Sequence, residues 1–272
     1  IEEVMKILGI ESSSMVASVA LVAGGITMAE YTLNFKKTHS QTLLPMIDEV
    51  MRMLEFELSE VDAIAVSGGP GSFTGLRIGS ATAKGLGLAL DKPLIHVPTM
   101  DAMAYGLFGS TSLVCPMMDA RRNQVYTGLY YCEKRLEVLE PSYFADVREL
   151  AELLNERGES VILLGDGVPV HQKFLREHLK VSCQFAPAHL NRQRAAAVAA
   201  LGAIYLSEGK TETAMEHRPN YLKKAQAERE LEEARRQGKV EELAAGHSVG
   251  TGEEKSVYQV GKRHSVEEEM DQ

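Results

Sequence analysis

The order of strand-like and helix-like segments constrains this chain most, because one order occurs twice. Residues 6–11 (KILGIE) and 17–22 (ASVALV) are β-rich runs, and Gly24-Gly25 supplies a turn into a third strand at 26–35. A helix fits 40–56, with Thr38 or Ser40 available as N-cap and Pro45 tolerable in the first turn. Residues 61–66 (VDAIAV) read as a buried strand leading into a glycine-rich loop at 68–75. A helix at 76–90, a strand at 93–97 and a helical stretch at 99–108 follow. The second half repeats the plan. A strand at 113–119 ends on Asp119 as the first ends on Glu11, and residues 124–131 and 135–140 form a hairpin. A helix at 146–156, a strand at 161–164, a loop at 165–167 (GDG) and a helix at 168–178 complete it. The likeness is one of pattern, not of residue identity.

Two βββαβα units of this kind predict mixed α/β sheets covered on both faces. They are the plan of the two-domain actin-like ATPase fold (ASKHA, ribonuclease H-like), in which a nucleotide normally sits between the units. The expected division is a first domain at 5–108, with the glycine-rich loop and partner helices, and a second at 109–236. The second includes the C-terminal helices, among them an alanine-rich one at 191–208. Residues 237–272 are Glu-, Gly- and Ser-rich without apolar periodicity and are expected to be a disordered acidic tail. Residues 1–4 precede Met5, which reads as the natural start, and have no clear purpose.

Charge and cysteine content narrow the function. The net charge is −9, and without the −5 of residues 225–272 the body is still acidic. That excludes a chain that grips nucleic acid by itself, since phosphate neutralisation needs a basic face. Cys115, Cys132 and Cys183 form no CxxC or metal-like spacing and suit small apolar fillers in a reducing cytosol. With no signal peptide and no apolar run near the roughly 20 residues that span a bilayer, the expected location is the cytoplasm.

Residues 67–79 (SGGPGSFTGLRIG) carry the most chemistry. Four glycines at a strand-to-helix turn let backbone N–H groups converge where an anion could be cradled. Yet GxxxxGK[ST] and GxGxxG both fail to match. The bland alternative is a tight crossover whose glycines satisfy turn geometry, and residue chemistry leaves both open. A residual nucleotide cleft would draw on Glu11, Ser12, Gly69, Gly71, Asp119, Gly165 and Gly167, although strand-end acids also serve as caps.

The same stretch closely resembles the signature of the TsaB (YeaZ) family. Matching pieces are Lys84-Gly85-Leu86, His96-Val97-Pro98-Thr99, ILGIESS at 7–13, HSQTLLPMI at 39–47, DARRNQVYTGLY at 119–130 and RPNYLKKAQAERE at 218–230. The resemblance runs in order from about Met5 to Glu230. It implies a degenerate actin-like fold and a non-catalytic scaffold subunit. This subunit supports TsaD, which transfers threonylcarbamoyl to N6 of adenosine 37 in tRNAs reading ANN codons, together with the ATPase TsaE. It implies a homodimer exclusive with the TsaD heterodimer, contact with tRNA only through the complex, and no membrane. No cofactor is expected to bind firmly, with at most weak ATP or ADP and Mg²⁺ at the complex interface. Where the family commonly has Asp, the first-strand acid is Glu11, which weakens the case for nucleotide.

Two enzyme readings stand against the scaffold. A metallopeptidase would need histidines four apart on one helix, but no two of the eight are so spaced and HExxH is absent. That reading fails, and no metal site is expected. A free-standing nucleotide-dependent ATPase or kinase-like enzyme remains the alternative, but the chain singles out no base for a substrate hydroxyl.

The 40–56 helix is unusually apolar. Leu43, Leu44, Met46, Ile47, Val50, Met51, Met53 and Leu54 cover roughly 180°, more than the ~100° a core-facing stripe needs. Met46, Val50 and Met53 form the surplus side, either a protein contact or a second buried face. On the next helix Gly79, Ala83 and Gly87 recur every four residues, which suits close packing of another helix. The expected partner interface is therefore Leu43, Met46, Ile47, Val50, Met53, Gly79, Ala83 and Gly87.

Overall fold

A computed structural model describes residues 4–222. The helical ending expected to 230, the tail at 237–272 and most of the 1–4 extension lie outside the described residues.

The first repeat builds one five-stranded sheet. Strands β1 (Lys6–Glu11), β2 (Val16–Ala23) and β3 (Ile26–Asn34) form an antiparallel meander, and β4 (Ala63–Ser67) and β5 (Leu94–Val97) add in parallel, giving the order β3-β2-β1-β4-β5. The β2–β3 turn works because Gly24 and Gly25 both take positive φ, +56° and +77°. Helix α1 (His39–Leu54) leads from β3 to β4, and α2 (Phe73–Leu90) from β4 to β5. After α3 (Thr99–Tyr105), the second repeat builds β6 (Leu113–Asp119), β7 (Gln124–Tyr131), β8 (Glu137–Asp146), α4 (Val147–Arg157), β9 (Val161–Leu164), α5 (Gly167–His178) and β10 (Cys183–Phe185). Its sheet, β10-β9-β6-β7-β8, has the same topology as the first. The duplicated plan is that of the two-domain actin-like ATPase fold.

Strand β1 shows how sequence alternation sorts residues between layers. Leu8 and Ile10 enter a core closed by α1 and α2 residues such as Leu43, Ile47 and Ala83. Ile7 faces the opposite core, with Val198, Ala199 and Leu201 of helix α6 (Ala195–Ser207). A Cβ on Gly9 would lie 2.4 Å from Ala195 O, and one on Gly202 would lie 2.6 Å from the Ala65 Cβ. The alanine-rich composition of α6 therefore serves close helix-on-sheet packing. This helix, grouped by sequence with the second unit, lies on the first sheet and meets α3, which covers one face of the second. The other face of the second sheet packs on α4 and α5. Connectivity cannot show such a crossing back, because α6 follows β10 in the chain.

Two boundaries and one unforeseen short strand differ from expectation for local reasons. Helix α2 starts at Phe73 rather than 76, because the Ser72 Oγ caps it by accepting from Gly75 N at 3.3 Å. Strand β8 runs past Pro141 to Asp146, which an edge strand tolerates. Strand β10 has three residues, too few to show alternation. No helix among the described residues is long and apolar enough to cross a membrane.

Candidate functional site

Parallel pairing of β1 with β4 sets their C-terminal ends side by side, where ligands of open α/β sheets commonly bind. Glu11 ends β1 with 1% exposure. Its Oε1 accepts from Ser13 N at 2.6 Å and from Ser13 Oγ at 2.5 Å, while its buried Oε2 has no hydrogen-bond partner among the described residues. Burial pushes the Glu11 carboxyl up from 4.5 to about 7. The Ser13 bonds and Ser67 oppose that shift, and the Asp166 charge adds to it. His39, the first residue of α1, donates from Nε2 to Ser14 O at 2.7 Å and ties the α1 start to the same loop.

Residues 12–14 and 68–75 are folded tightly together. Ser72 N donates to Ser13 O at 2.6 Å, Ser12 Oγ to Gly75 O at 2.9 Å, and Gly68 N to Val97 O at 2.8 Å. A Cβ on Gly71 would come within 2.3 Å of Ser13 O, and one on Gly75 within 2.1 Å of Ser12 O. Gly69, at φ +108°, abuts Asn220 O in the same way. The glycines thus make room for the protein's own backbone, and the N–H groups of Gly68, Ser72 and Gly75 go to its own acceptors. This geometry fits the tight crossover and not the anion cradle.

The second repeat supplies the facing wall. Gly165, at φ +111°, would drive a Cβ to 2.0 Å from Met117 O, and Gly167 also packs against the end of β6. Between them Asp166 accepts from Asp119 N at 3.2 Å, while Asp119 Oδ1 accepts from Arg121 N at 3.0 Å. Burial pushes the Asp166 carboxyl up, and Asp119 adds to that. The Asp119 N–H and Arg192, whose guanidinium also donates to Gly165 O at 3.3 Å, act against it. Asp119 and Asp166 form a carboxylate pair within the second repeat, and the Asp166 charge also reaches Glu11 of the first. Asp166 and Arg192 were missed from sequence. The only available signal was the acid inside the GDG loop, and Arg192 carries no motif.

The expected partner face needs correction. On α1, Leu43, Met46, Ile47 and Val50 are all buried, and Met46 and Val50 belong to the domain's own core with 4% exposure each. Met53 alone of the supposed surplus side is exposed, at 67%. On α2, Ala83 is fully buried, Gly79 faces Ser12, and Gly87 faces Leu94 at 2.9 Å. The small-residue face receives the domain's own β-sheet and first loop, not a foreign helix. The apolar side chains these helices do turn outward are Leu44, Met53 and Leu88. Leu44 borders a groove between α1 and α2 that Ile47, Met51, Phe56 and Leu86 line.

A family model described as TsaD, tRNA N6-adenosine threonylcarbamoyltransferase, matches residues 27–231. The chain is similar to the tRNA threonylcarbamoyladenosine biosynthesis protein TsaB of Bacillus subtilis, with 32% identity over 227 residues, 82% of this chain and 96% of that one. Escherichia coli TsaB is 35% identical over 147 residues, 50% of this chain and 63% of its own length. A Pseudomonas aeruginosa crystal structure, described as an uncharacterized protein with similarity to peptidase YEAZ, superposes with a TM-score of 0.68. It is 25% identical and covers 80% of this chain and 100% of its own.

Proposed function

The chain belongs to the TsaB family and takes part in tRNA threonylcarbamoyladenosine biosynthesis, and from that premise we propose that it contributes a binding surface rather than chemistry. It pairs with a TsaD-type transferase, in concert with a TsaE-type ATPase, and the transferase modifies adenosine 37 of tRNAs reading ANN codons. In the absence of that partner it pairs with itself through the same face. The observation that carries this reading is the collapse of the glycine loop onto residues 12–14. Gly71 and Gly75 lie against the Ser13 and Ser12 carbonyls, and the Gly68, Ser72 and Gly75 N–H groups that could hold a phosphate go to the protein's own acceptors. The Glu11 and Asp166 carboxyls beside this loop have raised proton affinity, which makes them poorer partners for a cation. Both features speak against a nucleotide bound at this loop. Support for the contact face comes from Leu44, Met53 and Leu88, three large apolar side chains more than half exposed on two adjacent helices.

Reconstitution of tRNA threonylcarbamoylation from purified parts tests the reading, with the modified nucleoside followed by mass spectrometry. Product should require this chain, while the chain alone turns over no ATP. Equal product without it, or ATP hydrolysis by the isolated chain, refutes the scaffold role and returns attention to a nucleotide-dependent enzyme built on Glu11, Asp119 and Asp166.

A further inference from the structure

The last described residues cross back over the first sheet. Glu212 and Leu94 exchange both backbone hydrogen bonds at 2.9 Å, and Asn220 N donates to Gly68 O at 2.6 Å. Farther along, Tyr221 packs its ring 4.9 Å from that of Phe73 at the start of α2. The strap carries Glu212, itself one anchor, and His217, which lies between the two, to His96 of β5. The three residues each present one ligand atom, and these lie within 4.8 Å of one another. His217 Nδ1 is 2.7 Å from Glu212 Oε1, and His96 Nδ1 is 3.9 Å from the same oxygen. His217 is fully buried, and its Nε2 has no hydrogen-bond partner among the described residues.

We propose that His96, Glu212 and His217 form a site for a divalent transition-metal ion of the zinc class, which clips the strap to β5. Two imidazoles and one carboxylate are a donor set that zinc takes with a water in its fourth position. Bonds of about 2.0–2.2 Å at tetrahedral angles set ligand atoms roughly 3.4 Å apart. The 2.7 and 3.9 Å separations from Glu212 Oε1 bracket that spacing, and all three ligand atoms lie within 4.8 Å of one another, so side-chain rotation can close the set on an ion. Nitrogen donors exclude the hard cations Mg²⁺ and Ca²⁺, which prefer all-oxygen cages. Lys84 Nζ and an Arg218 nitrogen go to the His217 carbonyl, and no lysine or arginine pairs with Glu212 among the described residues, which leaves its carboxylate to the histidines. His96 and Glu212 are each about a quarter exposed, so an ion and its water have a way in. The site joins residues 96 and 217 and owes nothing to helical histidine spacing, which is why the sequence led to an expectation of no metal.

Titration of the untagged, chelator-treated full chain with Co²⁺ tests the site through visible ligand-field absorption, with Zn²⁺ as competitor. One saturable equivalent with tetrahedral-type bands, displaced by Zn²⁺, is expected, together with a Zn²⁺-dependent rise in Tm. His96→Gln and Glu212→Gln should each weaken binding by at least the roughly 10–100-fold that even an outer-shell partner is worth. His178→Gln, at an exposed position of α5, should leave it unchanged. Either of the first two variants suffices if the other fails to fold. Absence of saturable Co²⁺ binding, or binding that both variants leave intact, overturns the assignment.

Discussion

Glu11→Gln is the perturbation whose outcome follows most directly from the geometry. The Glu11 carboxyl titrates at about 7 in the fold against 4.5 in its ordinary state, chiefly because it is buried. Below about pH 4 both folded and unfolded chains hold the proton, and the group contributes no penalty. As pH rises from 4.5 toward 7 the unfolded chain releases its proton while the folded chain keeps it, so stability falls. Above about pH 7 the penalty levels off at about 3 kcal/mol, of which roughly 2.5 kcal/mol accumulates between about pH 5 and about pH 8. Glutamine keeps an oxygen for the two Ser13 bonds and places an amide where Oε2 has no partner. That buried amide costs about 1–3 kcal/mol at every pH. The informative quantity is therefore the difference between variant and wild type as a function of pH. Urea unfolding across this range should show the variant gaining on the wild type by roughly 2.5 kcal/mol as pH rises. Parallel stability curves would mean that Glu11 is ionised in the fold at neutral pH, and the account of a buried carboxyl that keeps its proton would fall with it.

Further outcomes follow from the same packing. Gly75→Ala or Gly71→Ala must push a methyl into the Ser12 or Ser13 carbonyl, and each should cost about 1–3 kcal/mol or more in urea unfolding. Met46→Glu should unfold the domain, with a loss on the order of 4 kcal/mol, since it buries a carboxylate in the α1 core. The pair Leu44→Glu and Met53→Glu changes exposed positions and should leave stability within about 0.5 kcal/mol each. On a sizing column this double variant should elute as monomer and fail to join a TsaD-type partner; retained pairing would rule out this face. Burial pushes the Cys115 and Cys132 thiols up to about 12, whereas Cys183 is only partly buried. Alkylation of the native protein near neutral pH should therefore label Cys183 first, as peptide mass mapping can verify.

What the sequence determined by itself was the succession of elements and the family. Alternation in residues 6–11, the Gly24-Gly25 turn and the strand–glycine–helix passage at 67–79 are local patterns, and local patterns follow from backbone geometry over a few residues. Their duplication was enough to name the fold, and residues 67–79 were enough to name the relatives. Everything that depended on which residues meet across the chain was decided by tertiary structure. Periodicity showed that α1 is apolar over half its circumference, but α1 packs on β2, β3 and α2 together, so Met46 and Val50 point inward and only Leu44 and Met53 remain outside. The glycines of 68–75 announced a close approach without saying to what, and the approaching group is the backbone of Ser12 and Ser13 rather than a ligand. Asp166 meets Asp119 only because β6 and β9 pair in parallel, the Asp166 charge reaches Glu11 only when the two repeats face each other, and His96 meets His217 only because the strap returns to β5. Residues far apart in sequence become neighbours through sheet order and chain reversal, and neither leaves a periodic trace in the residues themselves.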